Sequence, residues 1–342
     1  MTYVIAEIGQ NHNGSVDLAE ELIRMAADPR PHANLDAPAY PVDAVKMTMR
    51  HLAEEMTDEM MANPYNSPHS YGVTYGEHRA ALELTAEEHA RCYGQAVDLG
   101  IEFIETFCHP YLVEEIVGKW FTPHKIKVAS RDLTNTPLLR AVGDAGVPVI
   151  LSTGMASIED IEHAINEVGR DDTSILHCVS SYPASFSDLN LARIPRLHEA
   201  FGLNVGYSDH SIGIVAPVMA VALGARILEK HITLDRTAKG SDHACSLERD
   251  GLWRMMRDIR NADAAIGSPE IHCHPSTLTA KAKLERYAVM ARDVSGPLAE
   301  SDFKLLSTGT GGLIYRDAMQ FVGHVPNRTL RTGEVLTAEA FG

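Results

Sequence analysis

Residues 125–168 read KIKVASRDLTNTPLLRAVGDAGVPVILSTGMASIEDIEHAINEV. A short apolar run at 125–129 gives way to an amphipathic stretch at 136–145. A second run at 147–152 is followed by a second amphipathic stretch at 158–168. Strands that alternate strictly with helices form parallel βαβ units, because parallel neighbours need a crossover. Such strands are covered on both faces, so they read as apolar runs rather than alternations. The same rhythm extends outward, with strands expected at 3–8, 44–48 and 101–106 on one side and at 174–179, 203–207 and 226–231 on the other. Amphipathic stretches at 16–27, 85–99, 214–223 and 249–266 fall between or after them. About eight repeats in roughly 270 residues predict an α/β chain with a (β/α)8 TIM barrel. An open doubly wound sheet is the runner-up. It would carry a GxGxxG after the first strand, and Gly9-Gln10-Asn11-His12-Asn13-Gly14 does not fit.

Two stretches break the rhythm. Residues 51–83 are rich in Pro, Tyr, Ser, His and Gly, and predict a long loop over the barrel mouth. After Gly267-Ser268-Pro269 the pattern changes, which gives a barrel over 1–269, a linker over 270–283 and a small β-rich domain over 284–342. Extended runs are expected there at 287–291, 311–315 and 333–336. A unit of that size folds marginally by itself and is expected to dock on something larger.

The chain has 342 residues with 30 Lys+Arg against 46 Asp+Glu, a net charge of −16. That acidity argues against nucleic-acid and anionic-membrane partners, which need clustered cations. No apolar run approaches the roughly 20 residues that span a bilayer. The opening MTYVIAEIGQNHNG has no basic n-region, so no signal peptide is expected. The 5 cysteines are scattered without a CxxC, the pattern of reduced thiols in a cytoplasmic protein.

In a barrel of this type the C-terminal ends of the strands face the active site. The residues there are Glu7, Lys46, Thr106, Lys127, Ser152, Ser180, Ser208, His210, Glu229 and His231. Lys46 and Lys127 sit inside apolar runs, where a lysine needs a partner. With the hydroxyls they point to a phosphate or carboxylate ligand. His210 and His231 end successive strands about 4.8 Å apart, so their imidazoles could share a metal with positions left open for water and substrate. His177 reads as core, His12 and His109 as loop starts, and His272-Cys273-His274 as an isolated tract in the linker. Ser208-Asp209-His210 cannot form a relay, because adjacent strand residues point to opposite faces. The Gly-rich run at 306–313 lacks a Lys and reads as a turn.

The motifs IAEIGQNHNG (5–14), AVKM (44–47), SYGVTYGEHR (70–79), KVAS (127–130) and ILSTGM (150–155) resemble those of the sialic acid synthase (N-acetylneuraminate synthase) family. So do LHCVSSYP (176–183), GYSDH (206–210), ILEKHIT (227–233) and KGSDH (239–243). KLERYAVMARDV (283–294) and RTGEVLTAEAF (331–341) are similar to the family's SAF domain, an antifreeze-like β-clip fold.

The resemblance implies condensation of phosphoenolpyruvate with an open-chain amino-sugar aldose to a 2-keto-3-deoxy nonulosonate, with phosphate released. N-acetylmannosamine or its 6-phosphate is the leading sugar, with mannose 6-phosphate or a diacetamido hexose (the legionaminate or pseudaminate type) as alternatives. A non-catalytic antifreeze-like binding protein and a cleaving aldolase are further alternatives. Phosphoenolpyruvate is expected on Lys46, Thr106, Lys127, Ser130, Ser152, Ser180 and Ser208, and the sugar on Glu7, Thr48, Asp132, Tyr182 and Asp242. The resemblance places a divalent metal on His210 and His231, Mn2+ first and Mg2+ or Co2+ next, with Glu7 as a further catalytic group. It also implies a domain-swapped homodimer whose SAF domain caps the partner's barrel. Thr48 stands where many bacterial members have Gln, and Ser307 where their SAF domain has an Arg for the N-acyl group. YGEHR and KGSDH look more like the animal-type members that use phosphorylated sugars, for which Arg50, His51, His78 and Arg79 are candidate phosphate contacts.

Overall fold

The computed structural model describes residues 1–31, 33–34 and 36–342. Eight parallel strands close a barrel in sequence order: β1 (Tyr3–Gly9), β2 (Ala44–Met49), β3 (Glu102–Phe107), β4 (Lys125–Val128), β5 (Val149–Ser152), β6 (Thr173–Cys178), β7 (Asn204–Asp209) and β8 (Ile227–His231). Closure is explicit in the pairing of Tyr3 with Ile227 and of Glu7 with His231.

The crossover helices are α1 (Val16–Ala27), three short helices α2 (Leu52–Glu55), α3 (Asp58–Ala62) and α4 (Tyr75–Ala80), then α5 (Ala86–Asp98), α6 (Pro110–Ile116), α7 (Thr136–Asp144), α8 (Ile158–Val168), α9 (Arg193–Phe201), α10 (Val215–Ala222) and α11 (Arg249–Ile266). Their starts follow local chemistry. Ser15, Thr85, Asn135 and Ser157 each accept a backbone N–H of the first turn of their helix. The longer helices each bury one stripe against the outer face of the strands, whereas α2 and α3 bury no residue. Leu22, Ile23, Phe103, Leu138, Ile165 and Leu252 are among the residues of that continuous core.

The barrel interior is layered along its axis. At the N-terminal end Tyr3, Glu102 and Lys125 bond to one another. Above them Ile5, Ala44, Ile104, Ile150, Leu176 and Ile227 form an aliphatic floor. Gly206 belongs to the same level, and a Cβ there would sit 2.6 Å from Leu176 Cδ2. The polar residues begin one step above this floor.

The stretch 51–83 is not the long loop that its composition implied. Thr57 caps α3, and Thr74 with Glu77 forms a reciprocal capping box on α4.

The chain divides into two compact units, Met1–Gly267 and Ser268–Gly342. The second has its own core, including Ala288, Met290, Leu298, Phe303, Leu330 and Leu336. It holds α12 (Leu278–Leu284), an antiparallel pair β9 (Arg286–Met290) and β10 (Phe303–Ser307), and α13 (Tyr315–Ala318). Two sequence expectations are corrected here. The linker region carries a helix, and residues 311–315 end in a helix start instead of a strand, because Ile314 N-caps α13. No helix among the described residues is long and apolar enough to cross a membrane.

Candidate active site

Side chains on a strand point alternately to its two faces, so each strand that places an aliphatic residue in the floor offers its next inward residue to the mouth. Ile5 is followed by Glu7, Ala44 by Lys46 and Thr48, and Ile104 by Thr106. Ile150 is followed by Ser152, Leu176 by Cys178, and Ile227 by Glu229 and His231. Lys127 on β4, Ser208 on β7 and His210 just after it complete the ring. All line one cavity of about 410 Å³, to which the loops after the strands add Ser130, Ser180, Tyr182 and Asp242. Gly9 ends β1 with φ +53°, and a Cβ there would stand 3.0 Å from Glu7 Oε1. Its lack of a side chain keeps that oxygen accessible.

Four buried charges organise the deepest part of the cavity. Lys46 Nζ lies 2.7 Å from Glu7 Oε2, 3.2 Å from Thr106 Oγ1 and 4.0 Å from Glu229 Oε2. Lys127 donates to Glu229 Oε1, which also accepts from Ser208 Oγ at 2.8 Å. The two carboxylates behave differently. Burial raises Glu7 to about 7, with Lys46 opposing and Glu229 reinforcing the rise. Burial acts on Glu229 too, but Lys127 and then Lys46 outweigh it and hold the carboxyl well below its ordinary value. Glu229 is therefore the fixed anion, and Glu7 is the group poised to exchange a proton near neutrality.

The two histidines fit a cation. Their ring centroids are 5.4 Å apart. His210 Nδ1 bonds the Val179 carbonyl at 2.8 Å, which fixes the tautomer and leaves Nε2 as the lone-pair nitrogen. His231 Nδ1 is buried without a hydrogen-bond partner. Burial pulls His231 down to about 3, so its imidazole is neutral and able to ligate. Burial also opposes the charged form of His210, but Cys178 at 3.8 Å and the Val179 carbonyl reverse the direction. Tyr182 stacks on His210 at 4.0 Å and meets His231 edge-on at 5.8 Å.

The structure brings together every residue expected on phosphoenolpyruvate, the metal or the sugar except Asp132. Ser130–Asp132 is a single tight turn after β4. It presents Ser130 and Arg131 to the cavity, while the Asp132 carboxylate pairs with Arg131 at 3.1 Å. Arg50 and Arg79 line the rim, but His51 and His78 do not. His78 is stacked on Tyr65 at 4.6 Å and accepts the Tyr71 N–H. Ser307 Oγ donates to the Leu284 carbonyl in the second unit. His177 is core, bonded to the Leu189 carbonyl, and His12 is buried with Nδ1 on the Gly14 N–H. The His272-Cys273-His274 tract is exposed.

Sequence reasoning gave Glu229 no role, although strand alternation already placed it on the face of His231. Its hold on both lysines depends on a register across the barrel. Gln10 and Arg131 were missed because loop residues carry no periodic signal. Gln10 Oε1 accepts from Arg79 at 2.7 Å.

Comparison with known proteins finds a family model described as "NeuB family" over residues 36–270. An N,N'-diacetyllegionaminic acid synthase of Legionella pneumophila is 32% identical over 346 residues, 98% of this chain and 94% of that protein. An N-acetylneuraminate-9-phosphate synthase of Homo sapiens is 35% identical over 293 residues, 84% of this chain and 77% of that protein. Among solved structures, the N-acetylneuraminic acid synthetase of Leptospira borgpetersenii in complex with citrate superposes with a TM-score of 0.67 at 30% identity, covering 81% of this chain and 89% of that one.

Proposed function

Because the chain belongs to the NeuB family, we propose that it condenses phosphoenolpyruvate with an open-chain amino-sugar aldehyde to a nonulosonic acid. The observation that carries this reading is the meeting of two ammonium groups, two carboxylates of opposite tendency and two imidazoles in one cavity at the C-terminal mouth of the barrel.

In this reading Lys46 and Lys127 hold the carboxylate and phosphate of phosphoenolpyruvate, with the hydroxyls of Thr106, Ser130, Ser152, Ser180 and Ser208 accepting and donating around them. Serine and threonine hydroxyls adapt to either role. Glu229 keeps both ammoniums charged and close. The enol carbon bonds to the aldehyde carbon, and the aldehyde oxygen gains a proton. Water then adds at C2, the C2–O bond to phosphate breaks, and the C2 hydroxyl loses a proton to become the ketone. Glu7, raised to about 7, is the residue suited to give or take a proton at its Oε1 near neutral pH. His210 and His231 would hold a divalent cation, Mn2+ by family resemblance, whose chemistry is Lewis-acid activation of a carbonyl or of water. Tyr182, Thr48 and Asp242 border the space left for the sugar.

One observation favours a phosphorylated sugar. Arg50 Nε and Nη1 at the rim are buried without hydrogen-bond partners, with looser ion pairs to Glu83 at 3.5 Å and Glu55 at 3.9 Å, and Arg79 and Arg131 stand on the same rim. Such forks match phosphate oxygens. The swapped homodimer of the family is supported by exposed apolar side chains just beyond the strands of the mouth, Met155, Tyr182, Phe186 and Ile212. A monomer by light scattering with full activity overturns it. The substrate chemistry is that of the cytoplasm, where we place the protein.

The test is phosphate release from phosphoenolpyruvate over a panel of aldoses, each with and without its 6-phosphate and with and without chelator. Release that requires one aldose and stops on chelation is expected. No release with any aldose overturns the reading, and activity after exhaustive chelation overturns the cation.

A further inference from the structure

Strands β2 and β3 run in register, with Met49 opposite Phe107 and the Cys108 N–H on the Met49 carbonyl. Arg50 and Cys108, one step on, line the cavity, but His51 and His109, a further step on, do not. The register brings their rings together outside the site, with centroids 5.3 Å apart and planes tilted by 32°. Glu54, three residues beyond His51 in α2, sends Oε2 to within 3.1 Å of His109 Nε2. One ligand atom from each of the three lies within 4.8 Å of the other two. His51 Nδ1 is shielded from solvent without a hydrogen-bond partner, and the edge of Tyr111 packs on its ring at 5.5 Å. Glu54 is 59% exposed, so the cluster is open to the solvent.

We propose that His51, Glu54 and His109 form a second divalent-cation site on the outer rim of the barrel, with zinc the best-matched ion. Two imidazoles and one carboxylate are a zinc donor set that leaves a fourth position for water. Magnesium and calcium would ask for more oxygen ligands than the cluster offers. Binding requires a tautomer change at His109. Its Nδ1 now accepts the Tyr111 N–H at 3.3 Å, so Nε2 carries the proton shared with Glu54. When Nε2 ligates, that proton moves to Nδ1, the Tyr111 contact is given up, and the hydrogen bond to Glu54 is exchanged for ligation of both groups to the ion. The ion would staple α2 to the corner between β3 and α6. Glu55, next in α2, pairs with Arg131 at 3.1 Å and lies 3.9 Å from Arg50, so filling the site steadies two rim arginines.

The test is equilibrium dialysis of the full chain against zinc, with bound metal counted by elemental analysis. The variants are His109→Gln, Glu54→Gln and the pair His210→Ala/His231→Ala. Each rim variant is expected to bind one zinc fewer per chain than the wild type, and the pair is expected to keep the rim ion. The visible absorption of bound cobalt in the pair should likewise disappear when His109→Gln is added. Glu54 is exposed, so Glu54→Gln keeps the test sound if His109→Gln fails to fold. Zinc counts in both rim variants equal to that of the wild type overturn the proposal. A wild-type chain with one zinc, lost only in the His210→Ala/His231→Ala pair, overturns it while leaving the reading of the barrel mouth intact. One zinc lost only in the rim variants supports it and removes the cation from His210 and His231.

Discussion

Glu7→Gln keeps the shape of the side chain and removes its titration. In the folded barrel, burial raises Glu7 from 4.5 to about 7. Each pKa unit is worth about 1.4 kcal/mol, so ionising this carboxyl inside the barrel costs the fold about 3 kcal/mol. Because the folded value lies above the unfolded one, the stability contributed by protonated Glu7 is complete below the unfolded value and is lost as pH rises through about 7. The unfolding free energy of the wild type minus that of Glu7→Gln should therefore fall by about 3 kcal/mol between roughly pH 4 and pH 8. Taking the difference cancels the titrating groups that do not feel the charge of Glu7. Urea titrations followed by tryptophan fluorescence read the barrel alone, since Trp120 and Trp253 are the 2 tryptophans of the chain and both lie in Met1–Gly267. Chelator is kept present, so that no bound cation draws the proton off Glu7. Curves that stay parallel across this range would refute the reasoning, because they would mean that Glu7 is ionised at the same pH in both states.

Lys127→Met leaves the buried Glu229 without its nearest cation and should cost about 3–5 kcal/mol in urea unfolding. Adding Glu229→Leu should restore most of that stability and none of the turnover, and a single variant as stable as the double one would count against a tight pair. His210→Ala and His231→Ala should each abolish phosphate release with unchanged circular dichroism, and a near-wild-type rate in either excludes that residue as a ligand. Ile104→Ala opens a void in the aliphatic floor and should lower stability by about 2–5 kcal/mol. A loss well under 1 kcal/mol in a calorimetric scan would mean that the layer is not close-packed.

The barrel was legible because its evidence is periodic: apolar runs for strands, striped segments for helices, repeated about eight times. The mouth was legible for a related reason. Alternation from Ile5 to Glu7, Ala44 to Lys46 and Ile227 to Glu229 can be counted along the chain. Relations that cross the barrel were hidden. The hold of Glu229 on both lysines depends on how strands are staggered, which no single segment encodes. The short helices between 51 and 83 were masked by turn-forming composition, although Thr74 and Glu77 spelled out a helix start. Asp132, expected on the sugar through the resemblance, sits in a tight turn in which Ser130 and Arg131 take the positions on the cavity.

In the resting barrel each ammonium already has a carboxylate to answer it. A site with its counter-ions built in offers little to chloride or to a stray single phosphate, since such a visitor must displace a tethered rival. A guest with two negative ends, reaching Lys46 and Lys127 together, competes with both in one step and leaves Glu7 free to trade its proton, while Glu229 stays the fixed anion. Selectivity for a doubly anionic guest and the arming of Glu7 would then be the same event.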